Sequence, residues 1–515
     1  MSHSSVIHLL KQRKDGEQRA QDLVSVRLSD IERQRQLAQA TLDAAKSHIA
    51  MLDDELVHLK QQNRVIGRAL EDAQKELRRH YASQLPDVVY QLIFEALLDI
   101  HGEECEVEAS GLFNYSQERA EAAFILASVC RRWRMIAQAT PRLWDRVDLP
   151  RGRPSDSRAA ELVLERVRLL LKRSHSMPID ILLQFVEWNA KSHPVSIAIL
   201  HAVGEHTHRW RRVDISLPDE TEHNLLSIFM NRTPLLNCLR LSAPKDSGSD
   251  WRADPLTGML PVAPKLKNLV LHRTGMVPSD HHPGYPSLTY LYFVNETART
   301  INSLLRLGAD TIDTVRVNVS RKFRTTVPLT VPNLEHLILL HSQYFALPPA
   351  LPPLEAPNLR RLTLRDPVIT RDMEQLLQHV PTIQELRLCG NINAAHVPIL
   401  AHAQGVQELR FTFPYTVMTD CDINYRVEDA FFAALVWRDD ASPTGVVWPK
   451  LKRIVLESVG HLVNPDGRGL LRLVEQRNLQ RVPALETACK FTEVVLDCDQ
   501  APRYLKDEIS RILEL

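Results

Sequence analysis

At 515 residues the chain is long enough for several domains and far above the size at which a hydrophobic core becomes hard to build. Lysine plus arginine, 63, cancels aspartate plus glutamate, 63, so the whole chain presents no net field that would draw in nucleic acid or an anionic membrane. Hydrophobic content of 44% beside 24% charged residues, no apolar run of membrane-spanning length and no secretory leader at Met1–Lys11 predict a soluble protein that stays inside the cell, cytoplasmic and/or nuclear.

Residues 1–19 are expected to be a flexible tail, and residues 20–81 a long helix. From Val24 to Leu77 the apolar positions keep a seven-residue period: Leu28 and Ile31, Ala38 and Leu42, Ala45 and Ile49, Leu52 and Leu56, Leu59, then Ile66, Leu70, Ala73 and Leu77. Two helices with such a stripe remove its drift against a 3.6-residue turn by supercoiling around one another, which gives a rod about 80 Å long. Asn63 falls on a core position, where a buried amide is satisfied best by its twin in a parallel pair; Arg35 occupies another and weakens that end. Gly67 costs about 1 kcal/mol relative to alanine. A homodimer is the expected product, and a single amphipathic helix lying on the body of the protein is the alternative.

Residues 84–149 follow as a small all-α module. Leu85-Pro86 opens a helix, since the missing N–H of proline would be unpaired in a first turn anyway. Val89, Leu92, Ile93, Ala96 and Leu97 share one face, which Phe94 extends, and the module would either bury that face or offer it to a partner. An acidic, glycine-containing stretch then reads as an inserted loop at about 99–117. Helical spacing resumes over 119–138 through Ala122, Ile125, Leu126, Val129, Trp133 and Ile136, with Arg131, Arg132 and Arg134 left for solvent. Leu-Pro, Val129-Cys130-Arg131-Arg132-Trp133 and Ala139-Thr140-Pro141-Arg142-Leu143-Trp144, in this order, resemble the F-box of many fungal proteins, often found behind a coiled coil.

That resemblance implies an adaptor of an SCF-type (cullin-RING) ubiquitin ligase, without chemistry or cofactor of its own, that docks on the Skp-type linker subunit. The matched positions are Leu85, Pro86, Ile93, Phe94, Val129, Cys130 and Trp133, with Leu143 and Trp144 closing the module. The inserted loop departs from the family pattern, in which the two halves lie closer together. The bland reading of Trp133 and Trp144 is that they are core aromatics of a helical subdomain.

Pro150-Arg151-Gly152-Arg153-Pro154 equals the core of an AT-hook, in which two arginines enter an A·T minor groove. It stands as one short copy followed by Asp156, and a linker is the simpler reading.

Residues 150–515 carry a repeated unit, P-x-L-x-x-L-x-L. Copies start at Pro264, Pro332, Pro357, Pro381 and Pro449, and weaker ones near His208, Pro234, Pro286, Asp310, Gln404 and Cys489. Many starts lie 22 to 26 residues apart, the period of leucine-rich repeats; the two widest gaps, 40 and 45, leave room for a diverged copy. The unit ends as a short strand with one buried face, and helical stretches (224–229, 301–307, 373–377, 469–474) precede many units. Only Asn391 matches the asparagine that leucine-rich repeats place in the turn. The expected fold class is therefore α/β: a long N-terminal helix, the F-box-like module, then a degenerate leucine-rich-repeat solenoid, with a mixed α/β domain lacking the solenoid as the alternative.

Seven scattered cysteines show no C-x-x-C pair, and His206-x-His208 and His281-His282 lack accompanying ligands, so no metal site or disulfide framework is expected and the histidines read as exposed loop residues. Asp420-Cys421-Asp422 is too short to mark catalysis, and phosphate-loop, nucleophile-elbow and zincin motifs are missing from the sequence. The functional expectation is a substrate receptor: linker on the F-box, target protein on the repeat region. A protein-interaction scaffold without ubiquitin transfer is the alternative, and a nucleic-acid factor using Arg151 and Arg153 a third.

Overall fold

The computed structural model describes residues 3–100, 117–150, 154–185, 188, 193–218, 223–243, 257–318, 329–340, 354–365, 371–411, 427–436, 446–457, 462–463, 468–479, 488–497 and 503–514. The chain forms two compact units, Met1–Val89 and Tyr90–Leu515. The first is dominated by one helix, α1 (His3–Gln84). It begins well inside the stretch expected as a flexible tail. Leu28, Ile31, Leu42, Ile49, Leu52, Leu56, Leu59, Ile66, Leu70 and Leu77 all lie exposed along it.

The second unit begins inside α2 (Asp87–Ile100) and continues with α3 (Gln117–Val129), α4 (Arg131–Gln138) and a 3-10 turn, Pro141–Trp144. The inserted loop, like Arg151 to Arg153 and Asp420 to Asp422, lies outside the described residues.

A thirteen-stranded sheet then fills most of the chain. Its strands are β1 (Arg146–Asp148), β2 (Ile179–Gln184), β3 (Trp210–Ser216), β4 (Cys238–Ser242), β5 (Asn268–His272), β6 (Tyr290–Val294), β7 (Thr314–Asn318), β9 (His336–Leu340), β11 (Arg361–Arg365), β12 (Glu385–Cys389), β13 (Glu408–Phe411), β15 (Arg453–Glu457) and β17 (Glu493–Asp497). Each pairs in parallel with the next in chain order. Two small parallel pairs, β8 (Leu329–Thr330) with β10 (Leu354–Glu355) and β14 (Val427–Glu428) with β16 (Leu462–Val463), lie apart from it. The connections carry α5 (Ser157–Arg173), α6 (His193–Gly204), α7 (Ala298–Leu307), α8 (Arg371–His379), α9 (Val397–Leu400), α10 (Asp429–Leu435) and α11 (Arg468–Asn478), and α12 (Arg503–Leu513) follows the last strand. Residues 224–229, expected to be helical, form a 3-10 helix, His223–Met230. No helix among the described residues is long and apolar enough to cross a membrane.

All eleven repeat starts lead into strands of this one sheet, at the same offset in nearly every unit. The registers stack equivalent positions: Val213, Leu239, Leu269, Leu291, Val315, Leu337, Leu362, Leu386, Leu409 and Ile454 form one continuous buried row. The first apolar residue of each unit, Leu266, Leu288, Leu334, Leu359 or Leu451 for instance, is buried too, its N–H closing a tight turn. A strand with one apolar face cannot bury it alone; stacking turns many short strands into one core. Among the described residues the gaps of 45 and 40 residues add no strand to the sheet, since β13 pairs directly with β15 and β15 with β17. Their extra length carries α10, α11 and the β14–β16 pair instead.

A short polar residue recurs at a fixed place in the unit. Ser287, Thr311, Asn333, Asn358 and Thr382, each next to the first residue of its unit, donate a side-chain hydrogen bond to a carbonyl of the preceding unit, at Pro264, Leu288, Asp310, Pro332 and Leu359, over 2.6–2.9 Å. This ladder was legible as a short polar residue at a fixed place, but its partner is visible only once the units stack.

Candidate functional site

The α2–α4 module is built around aromatic rings. Tyr90 and Phe94, one turn apart on α2, are buried against Trp133 of α4, with ring centroids 5.7 and 5.1 Å from the indole. The two stretches flanking the insertion therefore converge. The continuous helix expected over 119–138 is two helices: Cys130 adopts an extended conformation, and its Sγ accepts the Trp133 N–H at 3.4 Å, capping α4. Arg134 Nε donates to the Ala127 carbonyl at 2.9 Å and fixes the corner, while Arg132 lies 5.0 Å over the Tyr90 ring. Arg131 and Arg134 are exposed as expected, whereas Arg132 is half-buried; Arg132 and Arg134 also brace the module.

Below this cluster, Leu143 and Trp144 are fully buried. Trp144 Nε1 donates to the Ala137 carbonyl at 2.7 Å, Phe124 meets the indole edge-on at 5.4 Å, and the Arg173 guanidinium covers it at 4.4 Å. Both residues join the helices to the start of the sheet and face no partner. Phe94, expected to extend the face of Leu92, Ile93 and Leu97 that the module would bury or offer, instead points into the core, because at four-residue spacing it shares a helix face with the buried Tyr90 and Leu98.

The opposite faces are apolar and in water. Leu92 (61% exposed), Ile93 (43%) and Leu97 (37%) on α2, Ile125 (58%) and Val129 (56%) on α3, and Met135 (64%) on α4 form the module's outer surface. Cys130 is exposed, Trp133 half-buried at the edge of the aromatic cluster. Leu85 and Pro86 belong to the first unit, half-buried and exposed respectively, and the Pro86 carbonyl accepts the Val89 N–H at 3.0 Å to open α2. Leu92, Leu97, Ile125 and Met135 are the outward residues that the motif match did not mark; their signal was apolar character on the faces left over by the buried positions.

A second surface is the polar face of the sheet. At its first strands, Asp180 accepts from Arg211 at 2.8 Å and from Arg212, Arg211 also reaches Asp145 at 3.2 Å, Arg166 pairs with Asp148 at 2.9 Å, and Arg240 with Asp214 at 3.6 Å. Burial alone would raise the Asp180 carboxyl, but the hydrogen bonds from Arg211 and Arg212 hold it below its ordinary range. Asp145 is pushed up to about 6, by burial first and then by neighbouring Asp180. Asp214 also rises to about 6 because burial outweighs Arg240 and the Gln184 hydrogen bond. At the last strands a similar network runs from Glu385 through Arg387, Arg410 and Glu408 to Arg453 and Glu493.

The histidine pairs have other roles. His282 was expected in an exposed loop but is buried, its Nε2 2.9 Å from the Leu260 carbonyl and its Nδ1 accepting the Gly284 N–H at 2.9 Å, so it staples a turn. The rings of His206 and His208 lie 6.2 Å apart. Among the described residues no group of three or more His, Cys, Asp or Glu is disposed to hold a metal ion, and Cys130, Cys238, Cys389 and Cys489 are not joined in disulfides. No protein-family model matches the chain, and no curated protein matches it.

Proposed function

We propose that the chain is a substrate-receptor subunit of an SCF-type ubiquitin ligase: α2–α4 act as an F-box that docks the Skp-type linker, and the parallel strands form a leucine-rich-repeat solenoid whose polar face receives a target protein. One observation carries the reading. The module completes its own aromatic core with Tyr90, Phe94, Trp133 and Trp144, yet keeps Leu92, Ile93, Leu97, Val129 and Met135 in water. Clustered apolar side chains on helices that need no further burial for folding are what a helix-in-groove partner uses.

In this reading the chain performs no bond chemistry. It raises the effective concentration of target lysines at the charged ubiquitin-conjugating enzyme by holding both in one assembly. The exposed stripe of α1, with Asn63 on a core position, supports pairing with a second copy of the chain as a parallel coiled coil.

The test is co-purification of the linker and cullin with the full chain. Replacing Ile93 and Leu97 by Asp is expected to weaken linker binding by about 2–4 kcal/mol, the scale of central anchors, while unfolding stays cooperative because both side chains are partly exposed, at 43% and 37%. Trp133→Ala is a poorer probe, since it also removes the ring that holds Tyr90 and Phe94. Equal linker recovery with the Ile93→Asp, Leu97→Asp variant would refute the docking face.

A further inference from the structure

The edge at which the strands begin is ordered rung by rung, because each entry turn hydrogen-bonds to the one before it. The Thr289 N–H donates to the Lys267 carbonyl at 2.9 Å, that of Asp313 to Thr289 at 3.0 Å and that of Glu335 to Asp313 at 2.9 Å, so these residues stand on successive rungs. Two clefts adjoin on this edge. The larger, about 470 Å³, is walled by Pro261, Val262 and Pro264 before β5 and by Pro283 and Pro286 before β6, with the buried Tyr285 in its lining. Ser287 Oγ donates to the Pro264 carbonyl at 2.8 Å and Tyr285 Oη to that of Met259 at 3.3 Å, which fastens the walls. Proline fixes φ, so the cleft is shaped before any ligand arrives. The second cleft, about 370 Å³, begins at the next residues of the same turns, Lys265, Lys267 and Ser287. Arg211 lines it too but is held by Asp180 and Asp145. Lys265 and Lys267 are exposed and have no salt-bridge partner among the described residues. On the β7 side of the apolar cleft the sign reverses. Asp310 lines it there, Asp313 stands beside it and Glu335 on the following rung, and all three are exposed, with no salt-bridge partner among the described residues. Arg360, one rung beyond Glu335, ends the acidic run.

We infer that this edge is a docking groove for a linear segment of a partner protein that carries a carboxylate at one end, an apolar side chain in the middle and a lysine or arginine at the other end. The inference goes beyond the receptor reading and does not depend on it, since it uses neither α2–α4 nor the polar face of the sheet. The apolar side chain enters the proline-walled cleft, the carboxylate faces Lys265 and Lys267, and the cation faces Asp310, Asp313 and Glu335. Rungs of a sheet stand about 4.8 Å apart, and an extended chain advances about 3.3 Å per residue. Lys267 is two rungs from Asp313 and three from Glu335, so the acid and the base of the segment belong about three to five residues apart. The anchor in a preformed cleft supplies most of the affinity, and opposite charges at the two ends fix direction and register. A ligand of one sign throughout, nucleic acid included, meets like charge at one end.

A random peptide library displayed on phage and selected on the immobilised full chain reads this chemistry directly. Sequences with an acid and a base three to five residues apart around an apolar residue should be enriched. Selection on Lys265→Glu with Lys267→Glu should turn the acidic end of the enriched sequences basic and leave the other end basic, and selection on Asp310→Lys with Asp313→Lys should turn the basic end acidic. Peptides selected on wild type should bind each reversed chain about tenfold more weakly by fluorescence anisotropy, and Lys265→Gln with Lys267→Gln less severely. All four side chains are exposed, so thermal unfolding should stay cooperative in every variant. No enrichment, enrichment of peptides of a single sign, equal binding to the reversed chains, or displacement of the selected peptides by single-stranded nucleic acid would each overturn the inference.

Discussion

Single residues on the sheet set an acid–base balance that composition hides. The Asp214 carboxyl, raised to about 6 by burial, takes up a proton in the folded state at a pH where the unfolded chain has already lost it. Stability from this group is therefore present below the unfolded value near 4 and is lost as pH rises through 6. His336 has the opposite sign. Burial and the cations Arg361 and Arg387 push it down to about 3, so its contribution is present above 6.5 and lost as pH falls toward 3. Urea unfolding from pH 7 to pH 4 should show wild type gaining stability relative to Asp214→Asn and losing it relative to His336→Gln. A flat difference for either pair would remove that residue from the account. The same logic of burial explains Glu296, which is raised by desolvation but accepts the N–H groups of Thr274 and Gly275 and the Thr274 hydroxyl, tying two successive loops together.

Elements hold together through close approach of one repeat to the next. Gly405 stands where a Cβ would come within 2.5 Å of the Pro381 carbonyl oxygen and 2.7 Å of that of Ile383, both backbone atoms that have no rotamer to yield. Gly405→Ala should cost on the order of 2–3 kcal/mol, the scale of an overpacked core site, and lower the melting temperature of the full chain; an unchanged melting curve would mean that the stack yields more easily than its geometry suggests. Gly67 is the contrasting case. Nothing lies within 4 Å of its would-be Cβ, so Gly67→Ala should strengthen α1 by about 1 kcal/mol through propensity alone, read as increased helical signal on heating. The difference between the two glycines could not be read from their letters, since it depends on which backbone passes nearby.

On the scale of the whole molecule, α1 keeps the ten leucines and isoleucines of its stripe at 49–65% exposure, and pairing with a second copy is the expected fate of such a surface. Sedimentation of the full chain should give a dimer, and Leu52→Asp with Leu59→Asp a monomer; a wild-type monomer at tens of micromolar would count against pairing. Much of the architecture was local and therefore legible: the heptads fixed α1, and the spacing of proline and leucine marked eleven of the thirteen strands, because strand alternation and turn chemistry act over a few residues. The strands β1 and β2, which lack that spacing, were not foreseen, nor was the break at Cys130, where one backbone conformation ends a helical pattern that side-chain periodicity alone would continue. Tertiary structure alone decided which apolar residues face inward. Phe94 and Ile93 are neighbours with similar character, and only the arrival of Trp133 from across the insertion buries the first and leaves the second in water. It also decided which charges cancel, because strand pairing sets Arg453 beside Glu408 and brings Arg410 to within 3.6 Å of Glu385 on the neighbouring strand, a matter of lateral distance that a linear sequence with equal numbers of acids and bases does not contain.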